Sequence, residues 1–340
     1  MSFHTYTYRK PFVLESGEEM PEVTVGYHTY GKLNDAKDNV VWICHALTAN
    51  SNVTDWWSGL AGEGKVWDPN KHFIVCANIL GSCYGSSGPL TINPKTGKPY
   101  YGSFPRMTIR DLVKAYILLR EHLEIEKINV LAGGSMGGYQ ILEWALIEPQ
   151  TVNRMFLLAT GASESAWGIS IHTAQRLAIE ADHTWQDHSP HAGAKGMKAA
   201  RAIGMLTYRN YQTFVNQQTD PDIQKIDHFK ASSYIHHHGD KLVERFNAQS
   251  YWLLSKVLDT HNIARGRADS IEEVLDKIEQ RTLIIGITSD ILSPVEEQRF
   301  LARNMPNAAY YEIESLYGHD GFLKEFERIG KIYLDWMRKG

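Results

Sequence analysis

Four short runs that are apolar at nearly every position interrupt the first half of the chain. They are Val40-Val41-Trp42-Ile43-Cys44, Phe73-Ile74-Val75-Cys76-Ala77, Ile128-Asn129-Val130-Leu131-Ala132 and Met155-Phe156-Leu157-Leu158-Ala159. A strand exposed on one face alternates apolar and polar residues; runs like these suit strands covered on both faces, as in a parallel sheet. Helical patterns lie between them. Ile109, Leu112, Val113, Tyr116 and Leu119 repeat at helical spacing with Asp111 in the first turn, and Ile141, Leu142, Ala145 and Leu146 form a second stripe closed by Pro149. Repeated strand–helix–strand units are right-handed and build a mostly parallel, doubly wound α/β sheet.

The pattern changes from about Ser163 to Asp276. Helical stripes such as Ala199 to Leu206 and Phe246 to Leu258 dominate, and strand signals almost vanish. The alternation returns with a strand at Thr282 to Ile287, a helix at Val295 to Asn304, a strand at Tyr310 to Ile313 and an amphipathic helix at Phe322 to Met337. The expected organisation is a core domain of residues 1–162 and 277–340, interrupted by a helical lid insertion of residues 163–276.

Composition closes several alternatives. Net charge is −4, so no basic excess argues for a nucleic-acid partner. No apolar run reaches membrane-spanning length, and the first ten residues carry no apolar core of a secretory signal. The three cysteines, Cys44, Cys76 and Cys83, are few and odd in number, which fits a reducing compartment. The expectation is a soluble, cytoplasmic chain. His236-His237-His238 invites a metal reading, but adjacent side chains on a helix diverge and no carboxylate stands at ligand spacing, so no metal is expected. His188 and His191, beside Pro190, read as loop residues, and Trp56-Trp57 as core or pocket wall.

Gly133-Gly134-Ser135-Met136-Gly137 matches G-x-S-x-G between a strand and a helix. A sharp strand-to-helix turn forces the serine into a strained backbone and lifts its hydroxyl above the sheet. Glycines two residues to either side leave room where side chains would clash. The motif lacks the lysine of a phosphate-binding P-loop. Where such a serine is a nucleophile, its partners follow in the order acid, then histidine. Asp290 follows the strand ending at Ile287; His319, in Tyr317-Gly318-His319-Asp320-Gly321, follows the last strand. Both stand at carboxyl ends of strands, where reactive groups gather in open α/β sheets. Ser135 would attack, His319 take its proton, and Asp290 orient the imidazole. The Met136 N–H would supply one oxyanion donor. The other is expected from the loop His45-Ala46-Leu47-Thr48, at the Leu47 N–H.

Taken together, these segments resemble the homoserine O-acetyltransferase (MetX-type) family of the α/β-hydrolase superfamily. Cys44-His45-Ala46-Leu47-Thr48 is similar to its oxyanion loop and Gly133 to Gly138 to its nucleophile elbow. Leu206-Thr207-Tyr208-Arg209, Ala248-Gln249-Ser250-Tyr251, Leu258-Asp259-Thr260-His261-Asn262, Arg265-Gly266-Arg267 and Gly318-His319-Asp320 also look like family segments. One departure is Ala49 to Asp55, where many members carry a Gly-, Ala- and His-containing stretch. The resemblance runs from about Phe12 to the C-terminus. It implies an α/β-hydrolase fold with an inserted lid, and acyl transfer from acetyl-CoA, as co-substrate, to the hydroxyl of homoserine in methionine biosynthesis, with no cofactor. It implies Ser135, Asp290 and His319 as the triad, and substrate contacts at Thr48, Arg201, Tyr208 and Asp320, with Arg201 on the carboxylate and Asp320 on the ammonium. A homodimer through the lid is implied as well. Four readings stay open: acetyl transfer to homoserine; the same chemistry with succinyl-CoA or serine; a lidded esterase; and a non-catalytic scaffold on this fold.

Overall fold

The computed structural model describes residues 2–339. One eight-stranded sheet organises them: β1 (Ser2–Tyr8), β2 (Val23–Tyr30), β3 (Val40–Cys44), β4 (Phe73–Ala77), β5 (Val130–Gly134), β6 (Arg154–Leu158), β7 (Arg281–Ile287) and β8 (Ala308–Ile313), in spatial order β1-β2-β4-β3-β5-β6-β7-β8. The six strands from β3 onward pair in parallel; β1 and β2 are antiparallel to their neighbours. The apolar runs therefore occupy the covered middle of the sheet. The two N-terminal strands, with polar residues such as Thr5, Thr7 and Thr24, close one end of the sheet with β1 at its edge, and neither carries a continuous apolar run.

Helices α1 (Ile109–His122) and α2 (Met136–Ile147) cover one face, where Trp42 meets Trp144 edge-on at 4.9 Å. Asp111 does more than complement the helix dipole: with Thr108 it forms a reciprocal cap on α1, and it also accepts the Glu15 N–H at 2.8 Å. The other face, with Trp67 and Phe156, lies under α10 (Phe326–Arg338), as the Trp67–Tyr333 contact records. Between β6 and β7 run six helices and no strand among the described residues: α3 (Ala166–Glu180), α4 (Ala194–Tyr208), α5 (Tyr211–Gln218), α6 (Lys230–Val243), α7 (Ala248–Asp259) and α8 (Ile271–Leu275). They do not bury a core of their own. Ile179, Met197, Leu242, Tyr251 and Leu254 join the same apolar cluster as Trp42 and Trp144. Helix α9 (Val295–Asn304) then connects β7 to β8.

The C-terminal helix differs from expectation. The residues expected to form one helix from Phe322 split into a 3₁₀ segment, Gly318–Leu323, and α10. The split has a local cause. The Phe322 carbonyl accepts the indole N–H of buried Trp57 at 3.0 Å, and Phe322 itself is buried.

Arg265-Gly266-Arg267 ties the end of the helical segment to the sheet layer. The buried Glu143 carboxylate on α2 holds Arg110 Nε at 3.2 Å and Arg267 Nη2 at 2.6 Å, while Glu15 bridges Arg110 and Arg265, each at 2.8 Å. Removing one member of a buried ion cluster strands the others. Glu143→Ala is therefore expected to cost about 3–5 kcal/mol, read as a lowered urea midpoint, whereas Lys37→Ala, in the exposed pair with Glu126, changes it by less than about 1 kcal/mol.

Candidate active site

Ser135 sits at the junction of β5 and α2 with φ 55° and ψ −127°, a region non-glycine residues rarely occupy, at a cost of ~1–3 kcal/mol. What holds the turn is the closeness of β3. A Cβ on Gly133 would lie 2.8 Å from the Cys44 carbonyl oxygen, and one on Gly137 would lie 2.2 Å from it. Both glycines of the motif are thus demanded by one atom. The same packing sets the elbow beside the loop that leaves β3.

That loop and the elbow open onto one cavity of about 420 Å³. Leu47, Thr48, Ser135, Met136 and His319 line it, and so do Arg201, Tyr208 and Asp320. Residues from four distant parts of the sequence therefore meet there. Asp290 stands behind His319. Its Oδ2 accepts from His319 Nδ1 at 2.6 Å, and its Oδ1 accepts the N–H groups of Leu292 and Ser293 at 2.8 and 2.9 Å. Three donors immobilise the carboxylate. Because Nδ1 carries the proton given to Asp290, Nε2 is left as the basic nitrogen. Ser135 Oγ makes no hydrogen bond among the described residues; it shares with His319 the lining of the one cavity. The amides of Leu47 and Met136 donate to no other protein group among the described residues.

The electrostatics suit a base. Burial pushes the His319 pKa down, but the charge and hydrogen bond of Asp290 outweigh it and the net shift is upward. Glu297 lies close by; burial, with Glu164 and Asp290 near, pushes its carboxyl up to about 8. Asp290 is the first of the charges that raise the imidazole's pKa, and Asp320 and Glu297 add to it.

Arg201 and Tyr208 share one face of α4, with the Arg201 guanidinium carbon 5.3 Å from the Tyr208 ring centre. Asp320 is not free: its Oδ2 pairs with Arg209, whose Nε donates to Tyr234 on α6 at 2.9 Å. One oxygen of Asp320 remains for a ligand. Sequence reasoning assigned no role to Arg209, although it stands next to Tyr208. It also missed Glu164, His172 and Arg245, which line the cavity and carry no periodic or motif signal. The segment Asp259 to Asn262 serves this wall. Asp259 accepts from His172 at 2.9 Å and from Arg176 at 2.7 Å, and His261 stacks on Tyr139 at 3.8 Å. Tyr139 in turn donates to Glu164 at 3.2 Å. The divergent stretch after Thr48 also reaches the cavity, through Asn50, Asp55 and Trp56, while Trp57 is core. His236, His237 and His238 lie on α6, and no group of three metal-ligating side chains forms among the described residues. Nor is any helix among them long and apolar enough to cross a membrane.

The profile of the alpha/beta hydrolase fold family matches residues 39–326. A homoserine O-acetyltransferase of Cyclobacterium marinum is 50% identical, over 94% of this chain and 90% of its own. The chain belongs to the homoserine O-acetyltransferase family. It is an enzyme on the α/β-hydrolase fold. The crystal structure of homoserine O-acetyltransferase from Bacillus anthracis superposes with a TM-score of 0.90 at 25% identity, covering 98% of this chain and 97% of that one. An acetylester hydrolase of Corynebacterium glutamicum shares the fold at a TM-score of 0.86 and 21% identity, covering 99% and 96%. Family membership thus comes from the sequence relatives, and the fold alone is common to esterases.

If His319 is the base, it must be neutral to act. Its raised pKa places the acid limb of kcat/KM above pH 6.5, with activity lost as pH falls through it. In Asp290→Asn the burial remains and the carboxylate is gone. That limb is expected to move to lower pH while kcat drops by about 10⁴. A pH–rate profile with an unmoved limb would contradict the Asp290–His319 assignment.

Proposed function

We propose that the chain transfers an acetyl group from acetyl-CoA to the hydroxyl of L-homoserine through an acyl-enzyme on Ser135. The observation that carries this reading is Arg201. Its Nε is buried without a hydrogen-bond partner, and it forms no ion pair with any described carboxylate. Arg201 nevertheless lines the cavity, and a ligand carboxylate there supplies the guanidinium with the partner that the protein does not. A plain esterase has no use for such a receptor. An α-amino acid acceptor has: its carboxylate meets Arg201, and its ammonium meets the free oxygen of Asp320.

In this scheme His319 takes the Ser135 proton as the hydroxyl attacks the thioester. The tetrahedral oxyanion is held by the Leu47 and Met136 amides, and CoA leaves as the C–S bond breaks, its sulfur taking the proton from His319. Homoserine then enters, His319 removes its hydroxyl proton as the oxygen attacks the acyl carbon, and the ester forms as the bond to Ser135 Oγ breaks and Oγ takes that proton back from His319. Thr48, beside Leu47, contacts the acyl or acceptor chain. The triad itself does not choose alcohol over water. Holding the acceptor at both ends under the helical cover supplies the effective concentration that water lacks. Methionine biosynthesis in the cytoplasm, and a homodimer through the helical segment, complete the reading. Succinyl-CoA and serine are the neighbouring alternatives, and thiol release measured with each donor and acceptor separates them.

Two results test the scheme. Incubation with acetyl-CoA alone is expected to leave one acetyl group on Ser135, seen by peptide mass spectrometry and absent in Ser135→Ala; an unmodified serine removes the acyl-enzyme. Arg201→Ala should raise the homoserine KM by about 10- to 100-fold, the worth of a charged hydrogen bond, with acetylation of Ser135 intact. Equal loss of acetylation would overturn the Arg201 assignment.

A further inference from the structure

We infer that His45 and Thr160 are positioning residues that aim the two oxyanion-hole amides by gripping the carbonyl on the far side of each peptide unit. The argument starts from peptide geometry. In a trans peptide the C=O of one residue and the N–H of the next belong to one rigid plane and point in opposite directions. The described chain contains no cis peptide. The Leu47 N–H is therefore aimed by whatever holds the Ala46 carbonyl, and the Met136 N–H by whatever holds the Ser135 carbonyl.

Both carbonyls are held by a buried side chain. The Ile79 N–H donates to His45 Nε2 at 3.2 Å, which makes Nε2 the acceptor nitrogen and puts the proton on Nδ1. Nδ1 then donates to the Ala46 carbonyl at 2.9 Å. Burial pushes the His45 pKa down to about 4, so the ring is neutral near pH 7 and Nε2 stays free to accept. On the other side, the Thr160 hydroxyl donates to the Ser135 carbonyl at 2.9 Å. Thr160 is itself fixed, because its carbonyl accepts from Gln298 at 2.7 Å.

Neither side-chain bond is needed merely to satisfy a buried carbonyl. Ala46 O already accepts the Ala49 N–H at 3.0 Å, and Ser135 O already accepts the Gly138 N–H at 2.9 Å. What the second donor adds is orientation: two donors at one oxygen fix the tilt of the peptide plane that one leaves free. Gln140 locks the pair together, since its Nε2 donates both to the His45 carbonyl and to the Met136 carbonyl, at 3.2 and 3.1 Å. The two amides thus belong to one braced unit before any substrate arrives, which is the condition for oxyanion stabilisation without reorganisation.

The inference rests on the acyl-enzyme reading above, so the test begins with the unsubstituted protein. Acetylation of Ser135 by p-nitrophenyl acetate and by acetyl-CoA is followed first; if neither occurs, the acyl-enzyme reading falls and this inference with it, before any variant is compared. Thr160→Val keeps the shape and removes the hydroxyl. It is expected to slow acylation by about 10- to 100-fold, part of what losing a whole donor does, with the acetyl-CoA KM within about two-fold of the unsubstituted value. Its affinity for a trifluoromethyl ketone, whose serine adduct carries an oxyanion, should fall by the same factor. Thr160→Ser restores the hydroxyl and should recover most of both. Equal losses in Thr160→Val and Thr160→Ser would show that packing, not aim, is at stake, and would overturn the inference. So would an unchanged acylation rate in Thr160→Val. His45→Gln repeats the test from the other peptide unit, so the result does not depend on Thr160→Val folding.

Discussion

The contact on which the rest depends is the approach of the nucleophile turn to the Cys44 carbonyl. Gly133 and Gly137 lie so close to that oxygen that neither tolerates a Cβ. The contact does two things at once. It keeps Ser135 in a backbone conformation that an L-residue would otherwise leave. It also places the start of α2 beside the loop leaving β3, so that Leu47 and Met136, from two separate segments, line one cavity. Relax the contact, and both the nucleophile's exposure and the convergence of the donors go with it. Strain at Ser135 is thus sustained by the covered sheet beneath, where Val40 to Cys44 and Val130 to Gly134 are buried throughout.

The helical segment between β6 and β7 is part of this arrangement and not an appendage. It shares the apolar cluster of one sheet face, and Glu143 clamps its end to α1 and α2. The Asp259–His172–Arg176 group and the His261–Tyr139 stack then shape the cavity wall opposite the triad. Helices so anchored keep the cavity covered without a separate core, which suits a site whose chemistry requires that water be kept scarce.

Much of this was legible in the sequence because the parts that mattered most are local. Continuous apolar runs announce covered strands, and a serine flanked by glycines between strand and helix announces the elbow; Asp290 and His319 followed from chain order and strand ends. What was illegible depends on contacts between distant segments. The strands Ser2–Tyr8 and Val23–Tyr30 gain stability from pairing with each other, which no single segment displays. Arg209 reads as a surface cation until Asp320, 111 residues away, is found against it. Glu164 and Glu297 are ordinary acids in sequence; only burial beside other carboxyls raises their pKa values. The last helix was drawn too long because apolar spacing continues through Phe322, while the carbonyl there is turned aside to Trp57.

The end of α4 packs directly against the turn that carries His319. Gly318, with φ 61°, packs so tightly on the backbone of residues 208–210 that a Cβ there would lie 2.9 Å from Tyr208 O, Arg209 C and Asn210 N. The turn that carries His319 and Asp320 therefore rests directly on the helix that carries Arg201 and Tyr208. Arg209 closes the same joint through its pair with Asp320. Under the proposed reading, an acceptor whose carboxylate meets Arg201 is registered against His319 through this backbone-to-backbone contact between the two elements. Such registration is worth more than affinity: a hydroxyl presented at a fixed distance from Nε2 competes with water by geometry, and small displacements of either element degrade that advantage steeply.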